Sequence, residues 1–300
     1  MTRDLFVGVD GGGTKTKMRI EDSAGNLIGE TRSGPAQIRI SIEDAWDSIN
    51  TAFHEILNAA NINPNDHNIR FHAGLGLAGT ESQNQYNDFI NHPNPFSTIC
   101  LKSDAYAACL GAHDGHDGAI IIIGTGTKGY QIEGSHESSV GGWGFPQGDE
   151  GGGGWIGLQT IRLTFHSVDG RLPKSPLFDA ILAQFDNNIS TLLDWRVNAT
   201  SSKFGTLAPT LIEYVDKKDP FAIQIIQEAA AAIDDISTAL NTQRQNPSHT
   251  MPCCLFGGIA PFILPWLGDE LRGRIVERHH GATKGAILML KQYMQQQGTL

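Results

Sequence analysis

Residues 10–17 read Asp-Gly-Gly-Gly-Thr-Lys-Thr-Lys, and a string of this kind can hold phosphate. Glycines let a backbone approach phosphate oxygens and adopt positive φ, so consecutive N–H groups converge on an anion. The hydroxyls of Thr14 and Thr16 add donors, and Lys15 or Lys17 adds charge. Asp10, just ahead of Gly11, Gly12 and Gly13, is suited to hold Mg2+ through water, because Mg2+ dehydrates reluctantly. An ordinary Asp-Gly hairpin turn is the plain alternative. A second string, Gly124-Thr125-Gly126-Thr127, repeats the design, and a triphosphate needs donors on both sides. Neither is a Walker A loop, since no G-x-x-x-x-G-K-[ST] occurs. A Rossmann reading is weak too, because each turn feeds a strand rather than a helix.

Other residues offer different chemistry. Asp104 lies in Lys-Ser-Asp-Ala-Tyr, where a carboxylate can take the proton of a hydroxyl attacking a γ-phosphate. Helix N-capping is the competing role. The segment 141–151 crowds Gly142, Trp143 and Asp149 among further glycines, an entropic expense that suits a binding loop better than a plain one. There Asp149 can bind sugar hydroxyls while Trp143 offers an apolar face. Gly257–Gly258 follows an apolar run and leaves room for a flat adenine ring, although a simple turn fits equally. The histidines, among them His113, His116, His279 and His280, lack partners at metal-ligand spacing and read as surface residues.

The elements that must position these residues recur. Leu5–Val9 and Ala119–Ile123 are short apolar runs, each ending in a Gly/Thr turn followed by a second strand. The recurrence predicts duplicated domains facing a cleft. Ser41 opens a capping pattern, and Trp46, Ile49, Phe53, Ile56 and Leu57 follow at helical spacing. Strands are expected over 71–77, 99–101 and 254–256, and helices over 105–110, 155–165, 220–240 and 285–294. The expected domains are 1–112 plus 284–300, and 113–283.

Composition narrows the partners. At 300 residues the chain is roughly two domains long. Its net charge of −10 disfavours nucleic acid and anionic membrane, which attract clustered Lys and Arg. Four cysteines without a C-x-x-C pair make no disulfide framework. No secretory signal or membrane-length apolar run is visible, so a soluble, cytoplasmic protein is expected. A homodimer stays open.

Taken together, the strings resemble the N-acetylglucosamine kinase family, with bacterial glucosamine kinases as close relatives, in the sugar kinase and actin-like ATPase superfamily. The resemblance rests on Val-Asp-Gly-Gly-Gly-Thr (9–14), Ser-Asp-Ala (103–105), Gly-Thr-Gly-Thr (124–127), Gly-Gly-Trp-Gly (141–144), Gly-Asp-Glu-Gly (148–151) and Phe-Gly-Gly-Ile (256–259). It implies an α/β fold of two ribonuclease H-like domains closing on ATP, Mg2+ and a small amino sugar. It also implies that Thr14 and Thr125 contact phosphates and that Asp104 is the general base toward the 6-hydroxyl. Asp149 would bind sugar hydroxyls, Trp143 would flank the 2-acetamido group, and Gly257–Gly258 would border adenosine. Gly79 would join the sugar site, as would Gln37, although the family often carries Asn at the latter. These features favour N-acetylglucosamine, with glucosamine the rival. A remoter alternative is the activator ATPase of a 2-hydroxyacyl-CoA dehydratase, which needs closely placed cysteine ligands for an iron–sulfur cluster. A sugar-sensing transcriptional regulator would need a DNA-binding element, for which no room is expected ahead of Leu5.

Overall fold

The computed structural model describes residues 2–80 and 82–300. In chain order the first elements are β1 (Arg3–Gly11), β2 (Thr16–Asp22), β3 (Leu27–Ser33), α1 (Ile42–Ala59), β4 (Ile69–Leu77), α2 (Gln83–Asn91), β5 (Thr98–Ser103) and α3 (Asp104–Ala112). There follow β6 (Gly118–Ile123), β7 (Thr127–Glu133), β8 (His136–Gly141), α4 (Gly153–Val168), α5 (Pro176–Ala183), α6 (Ile189–Val197), α7 (Ser201–Gly205) and α8 (Ala208–Asp216). The chain ends through α9 (Pro220–Thr242), β9 (Cys253–Phe256), α10 (Ala260–Ile263), α11 (Asp269–Arg272) and α12 (Ala282–Gln296). It divides into two compact units. Unit 1 runs up to Gly118 and includes Glu277–Leu300, and unit 2 is Ala119–Val276. The divisions fall at 118/119 and 276/277, where the sequence suggested 112/113 and 283/284. Residues 113–118 stay with unit 1 because His113 packs against Gly118 and the Cys109 thiol donates to Gly118 O. His279 and His280 join it by donating to the carbonyls of Ala112 and Gly111.

Unit 1 is built on a mixed five-stranded sheet in the order β3-β2-β1-β4-β5. β1 and β2 form the expected antiparallel hairpin, while β4 and β5 run parallel to β1. Leu5, Val7 and Val9 face one core with Met18 and Ile20, closed by Trp46, Ile49 and Phe53 of α1. Ser41 caps α1 by accepting from Asp44 N at 3.0 Å, as the sequence suggested. On the opposite face, α12 lies close enough that a Cβ at Gly8 would fall 2.0 Å from Thr283 O, and one at Gly74 1.9 Å from Ala286 O. Glycine is therefore required at both strand positions for this helix to dock.

Charge also fastens α12. Glu21 has no exposed surface, and its carboxylate accepts from Lys284 Nζ at 2.6 Å and Arg19 Nε at 2.5 Å. Burial alone would raise its pKa, but the hydrogen bonds and charges of Lys284 and Arg19 hold it below the usual glutamate value. His72 and His113 are buried, not surface residues as the sequence suggested. His72 stacks on Phe6 and sits 3.2 Å from Asp4 Oδ1, and His113 fills the space beside Gly118.

Unit 2 carries a four-stranded sheet, β8-β7-β6-β9, with β9 parallel to β6 and β7–β8 a hairpin. Ile121 and Ile123 pack with Ile156, Phe178, Leu211, Ile226 and Ile233 in one helical core. Asp219 starts α9 by accepting from Phe221 N and Ala222 N, with Pro220 in the first turn where no N–H is needed. Among the described residues, no helix is long and apolar enough to cross a membrane.

Candidate functional site

In unit 1, parallel strands deliver the candidate residues to one sheet edge. Asp10 pairs with Gly76 and Gly11 with Leu77, while Leu77 pairs with Ser103. The C-terminal ends of β1, β4 and β5 thus present Asp10, Ala78–Gly79 and Asp104 together, the usual ligand-binding end of such sheets. Gln37 joins this edge through a bridge to Ala78. Gly79 has φ +87°, and a Cβ there would strike Arg39, so a side chain is excluded twice over.

The turn after β1 is anchored by its carbonyls. Ala78 N donates to Gly11 O at 2.9 Å and Ala36 N to Gly12 O at 3.0 Å, and Gly12 N closes the turn onto Lys15 O at 3.1 Å. Gly13, Thr14 and Lys15 remain exposed. Thr16 does not serve as expected. It is fully buried, and its hydroxyl donates to Gly34 O at 2.8 Å, so it holds the loop instead of reaching a ligand. Lys17 Nζ lies 2.9 Å from Asp10 Oδ2. This ion pair brings a cation to the strand end.

Asp104 opens α3, but Ser103 is the cap, accepting from Tyr106 N at 3.1 Å. The capping role weighed for Asp104 therefore falls to its neighbour. Asp104 is half-buried, and its Oδ1 accepts from Ala105 N at 2.8 Å.

Unit 2 repeats the logic with other parts. The turn Gly124–Gly126 is stapled to the start of α4: Gly153 N donates to Gly124 O at 2.8 Å and Gly154 N to Thr125 O at 2.9 Å. The N-terminal donors of α4 are thus satisfied by loop carbonyls, which turns those carbonyls away from any ligand. A Cβ on Gly152 would lie 2.8 Å from Thr125 O, so the run Gly151–Gly154 is what allows the staple. That run was visible in the sequence, but its role was not. Thr125 is exposed, whereas Thr127 is buried with its hydroxyl 3.5 Å from Asp149 O. Each loop therefore keeps one outward threonine, Thr14 or Thr125, and turns the second inward.

Asp149 sits at the same loop. It holds φ +64°, its Oδ1 accepts from Thr127 N at 3.4 Å, and its carboxylate lies over Gly126. Trp143, in the turn after β8, is 88% exposed. Gly142 beside it has φ +73° and packs on Lys128. Gly257 has φ +98° and presses on the end of β6, where a Cβ would fall 2.1 Å from Ile123 O. Gly258 and Gly124 face open space. A cavity of about 340 Å³, not anticipated from the sequence, is lined by Ile212, Ile226, Phe262 and Trp266 together with the charged Asp216 and Lys218.

No group of three or more His, Cys, Asp or Glu side chains suited to a metal occurs among the described residues. A single carboxylate such as Asp10 is compatible with Mg2+ of the phosphate-bound kind, which takes one or two carboxylates and keeps its waters. The four cysteines are buried. Burial pushes the Cys100 thiol up to about 11 and the Cys253 thiol to about 12.

The BadF/BadG/BcrA/BcrD ATPase family profile matches residues 7–287. The chain is 35% identical to the glucosamine kinase of Vibrio cholerae over 285 residues, 95% of each chain. It is 27% identical to the N-acetyl-D-glucosamine kinase of Dictyostelium discoideum over 278 residues, 86% of each. A solved structure from Chromobacterium violaceum, proposed to be an N-acetylglucosamine kinase, is similar with a TM-score of 0.82 and 30% identity, over 96% of this chain and 99% of that one. A ROK family glucokinase from Streptomyces griseus shares the fold at a TM-score of 0.51 and 16% identity, over 96% and 98%.

Proposed function

The chain belongs to the BadF/BadG/BcrA/BcrD ATPase family and is a sugar kinase, and from that premise we propose that it phosphorylates the 6-hydroxyl of N-acetylglucosamine with ATP. The products are N-acetylglucosamine 6-phosphate and ADP. The observation that carries the acceptor is Trp143, an indole left 88% exposed on a loop of positive-φ glycines. An exposed indole has an apolar face to offer, and an acetamide methyl is a suitable partner.

In this reading the two Gly/Thr loops supply backbone donors to the phosphates, with the outward hydroxyls of Thr14 and Thr125 beside them. Asp10 would hold Mg2+, which when bound would supply charge neutralisation at the phosphates. Lys17, released from Asp10, adds a cation at the same strand end. Asp104 accepts the 6-hydroxyl proton as that oxygen attacks in line, and its place at the first turn of α3 holds the carboxylate rigidly. Gln37, Gly79, Gly142 and Asp149 are the sugar-binding residues in this reading, and the exposed Gly257–Gly258 turn borders adenosine.

Glucosamine is the second reading, favoured by the 35% identity to the Vibrio cholerae enzyme across 95% of both chains. Coupled ADP release with N-acetylglucosamine, glucosamine and glucose separates the two. We expect N-acetylglucosamine to give the highest kcat/KM and glucose the lowest. A higher value for glucosamine would move the assignment to the second reading, and equal values for all three would remove the Trp143 argument.

A further inference from the structure

The kinase reading explains why Gln37 and Asp149 carry polar side chains, but not why those side chains already rest on the phosphate loops. In unit 1 a methyl group added at Gly13 would lie 2.9 Å from Gln37 Oε1, and nothing but the Gln37 amide comes within 4 Å of it. In unit 2 a methyl group at Gly126 would meet Asp149 Oδ2, Cγ and Oδ1 at 2.6, 2.7 and 2.9 Å. Two loops from different parts of the chain thus share one device, a side-chain oxygen from a sugar-side segment laid on a loop glycine.

Both side chains spring from a held backbone. The Gln37 backbone is fixed by its bridge to Ala78, with Ile40 N and Ser41 N donating to its carbonyl at 3.1 and 3.4 Å. Asp149 stays at φ +64°, a conformation costing a non-glycine residue roughly 1–3 kcal/mol. In return, Oδ1 accepts from Thr127 N and the Asp149 carbonyl accepts from Gly152 N at 3.0 Å. The Gln37 side chain is long enough to carry its oxygen to Gly13.

We infer that Gln37 and Asp149 are positioning residues that couple the two substrates, each fixing a phosphate loop through the glycine beneath its oxygen while facing the sugar. The inference rests on the kinase reading. A sugar hydroxyl bonded to either side chain immobilises it, and the loop beneath loses conformational freedom it would otherwise give up when nucleotide binds. Sugar then tightens nucleotide, and by linkage nucleotide tightens sugar by the same factor.

The test is ADP binding by calorimetry on the full chain, first without sugar and then with saturating N-acetylglucosamine. In the unsubstituted protein, sugar should tighten ADP by about fivefold or more, the lower range of such couplings. Asp149→Ala, which removes the oxygen over Gly126, and Gln37→Asn, which shortens the reach to Gly13, should each weaken ADP several-fold with no sugar present, a change that a plain sugar contact would not produce. The decisive variant is Gly126→Ala. Its methyl group should weaken ADP binding in the native background and much less in Asp149→Ala, where the space beneath the carboxylate is vacated. Circular dichroism melts check that each variant folds. Native ADP affinity in Asp149→Ala and Gln37→Asn without sugar, or additive penalties in the Gly126→Ala/Asp149→Ala cycle, would overturn the coupling alone. An unsubstituted chain that binds no ADP would overturn the kinase reading with it.

Discussion

The chemistry proposed for Asp104 depends on what Ser103 does beside it. A helix start needs a cap, and a serine that accepts from Tyr106 N meets that need, so the cap does not depend on the neighbouring carboxylate. Replacing Asp104 by Asn keeps the volume and the oxygen that accepts from Ala105 N, so the fold should survive. General-base assistance contributes about 10²–10⁴ in rate. Asp104→Asn should therefore lose about that factor in kcat, with an unchanged melting temperature and native ADP affinity. Turnover within a few-fold of the native rate would move the base elsewhere. At this scale the sequence was informative about residue types but not about their partners. Four threonines looked alike in the two loops, yet Thr16 and Thr127 are buried against Gly34 O and Asp149 O. Those acceptors lie 18 and 22 residues away, and spacing does not reveal them.

Among the elements, the pairing of β2 with α12 is unusual in resting on a buried carboxylate. Glu21 is wholly enclosed, while Lys284 and Arg19 are about one-fifth to one-quarter exposed. Removing one partner of such a pair costs about 3–5 kcal/mol when both charges are buried. With partly exposed cations we expect Glu21→Gln to lose nearer the bottom of that range, about 3 kcal/mol. The pH dependence has a definite sign. Glu21 has a lowered pKa in the folded state, so its contribution is complete above the ordinary glutamate pKa of about 4.3. It is lost as pH falls through the lowered folded value. Urea melts should therefore show the deficit of Glu21→Gln at pH 7 and a smaller one approaching pH 3. A deficit independent of pH would show that shape, not charge, makes the contact. Element boundaries were legible where periodicity ran long, as in α1, α9 and α12. The stretch between α4 and α9 was not, because its helices α5–α8 span only five to nine residues each, too few turns to establish a pattern.

At the scale of the whole molecule, the two units differ in how the chain closes them. Unit 2 is contiguous, whereas unit 1 takes its last helix from the far end of the sequence. The sequence predicted that return of the final helix but not how much rests on it. Ile287, Met289, Leu290 and Met294 of α12 are at most 3% exposed. At about 1.5–3 kcal/mol for each large apolar side chain, their burial contributes roughly 6–12 kcal/mol, comparable to the entire stability of about 5–15 kcal/mol typical of a domain. The contact also reaches the chemistry, because a Cβ at Gly285 would lie 1.9 Å from Ala107 O of α3, the helix that begins with Asp104. Deleting residues 277–300 should leave unit 1 unfolded, while unit 2 keeps its sheet and its core of α4, α8 and α9. Limited proteolysis should then degrade residues up to 118 quickly and leave a resistant fragment near 119–276, with sugar-dependent ADP release abolished. If both segments resisted protease equally in the truncated chain, β1, β4 and α3 would have to bury their apolar faces without α12. The backbone-close packing at Gly8, Gly74 and Gly111 would then be left with no partner to explain it.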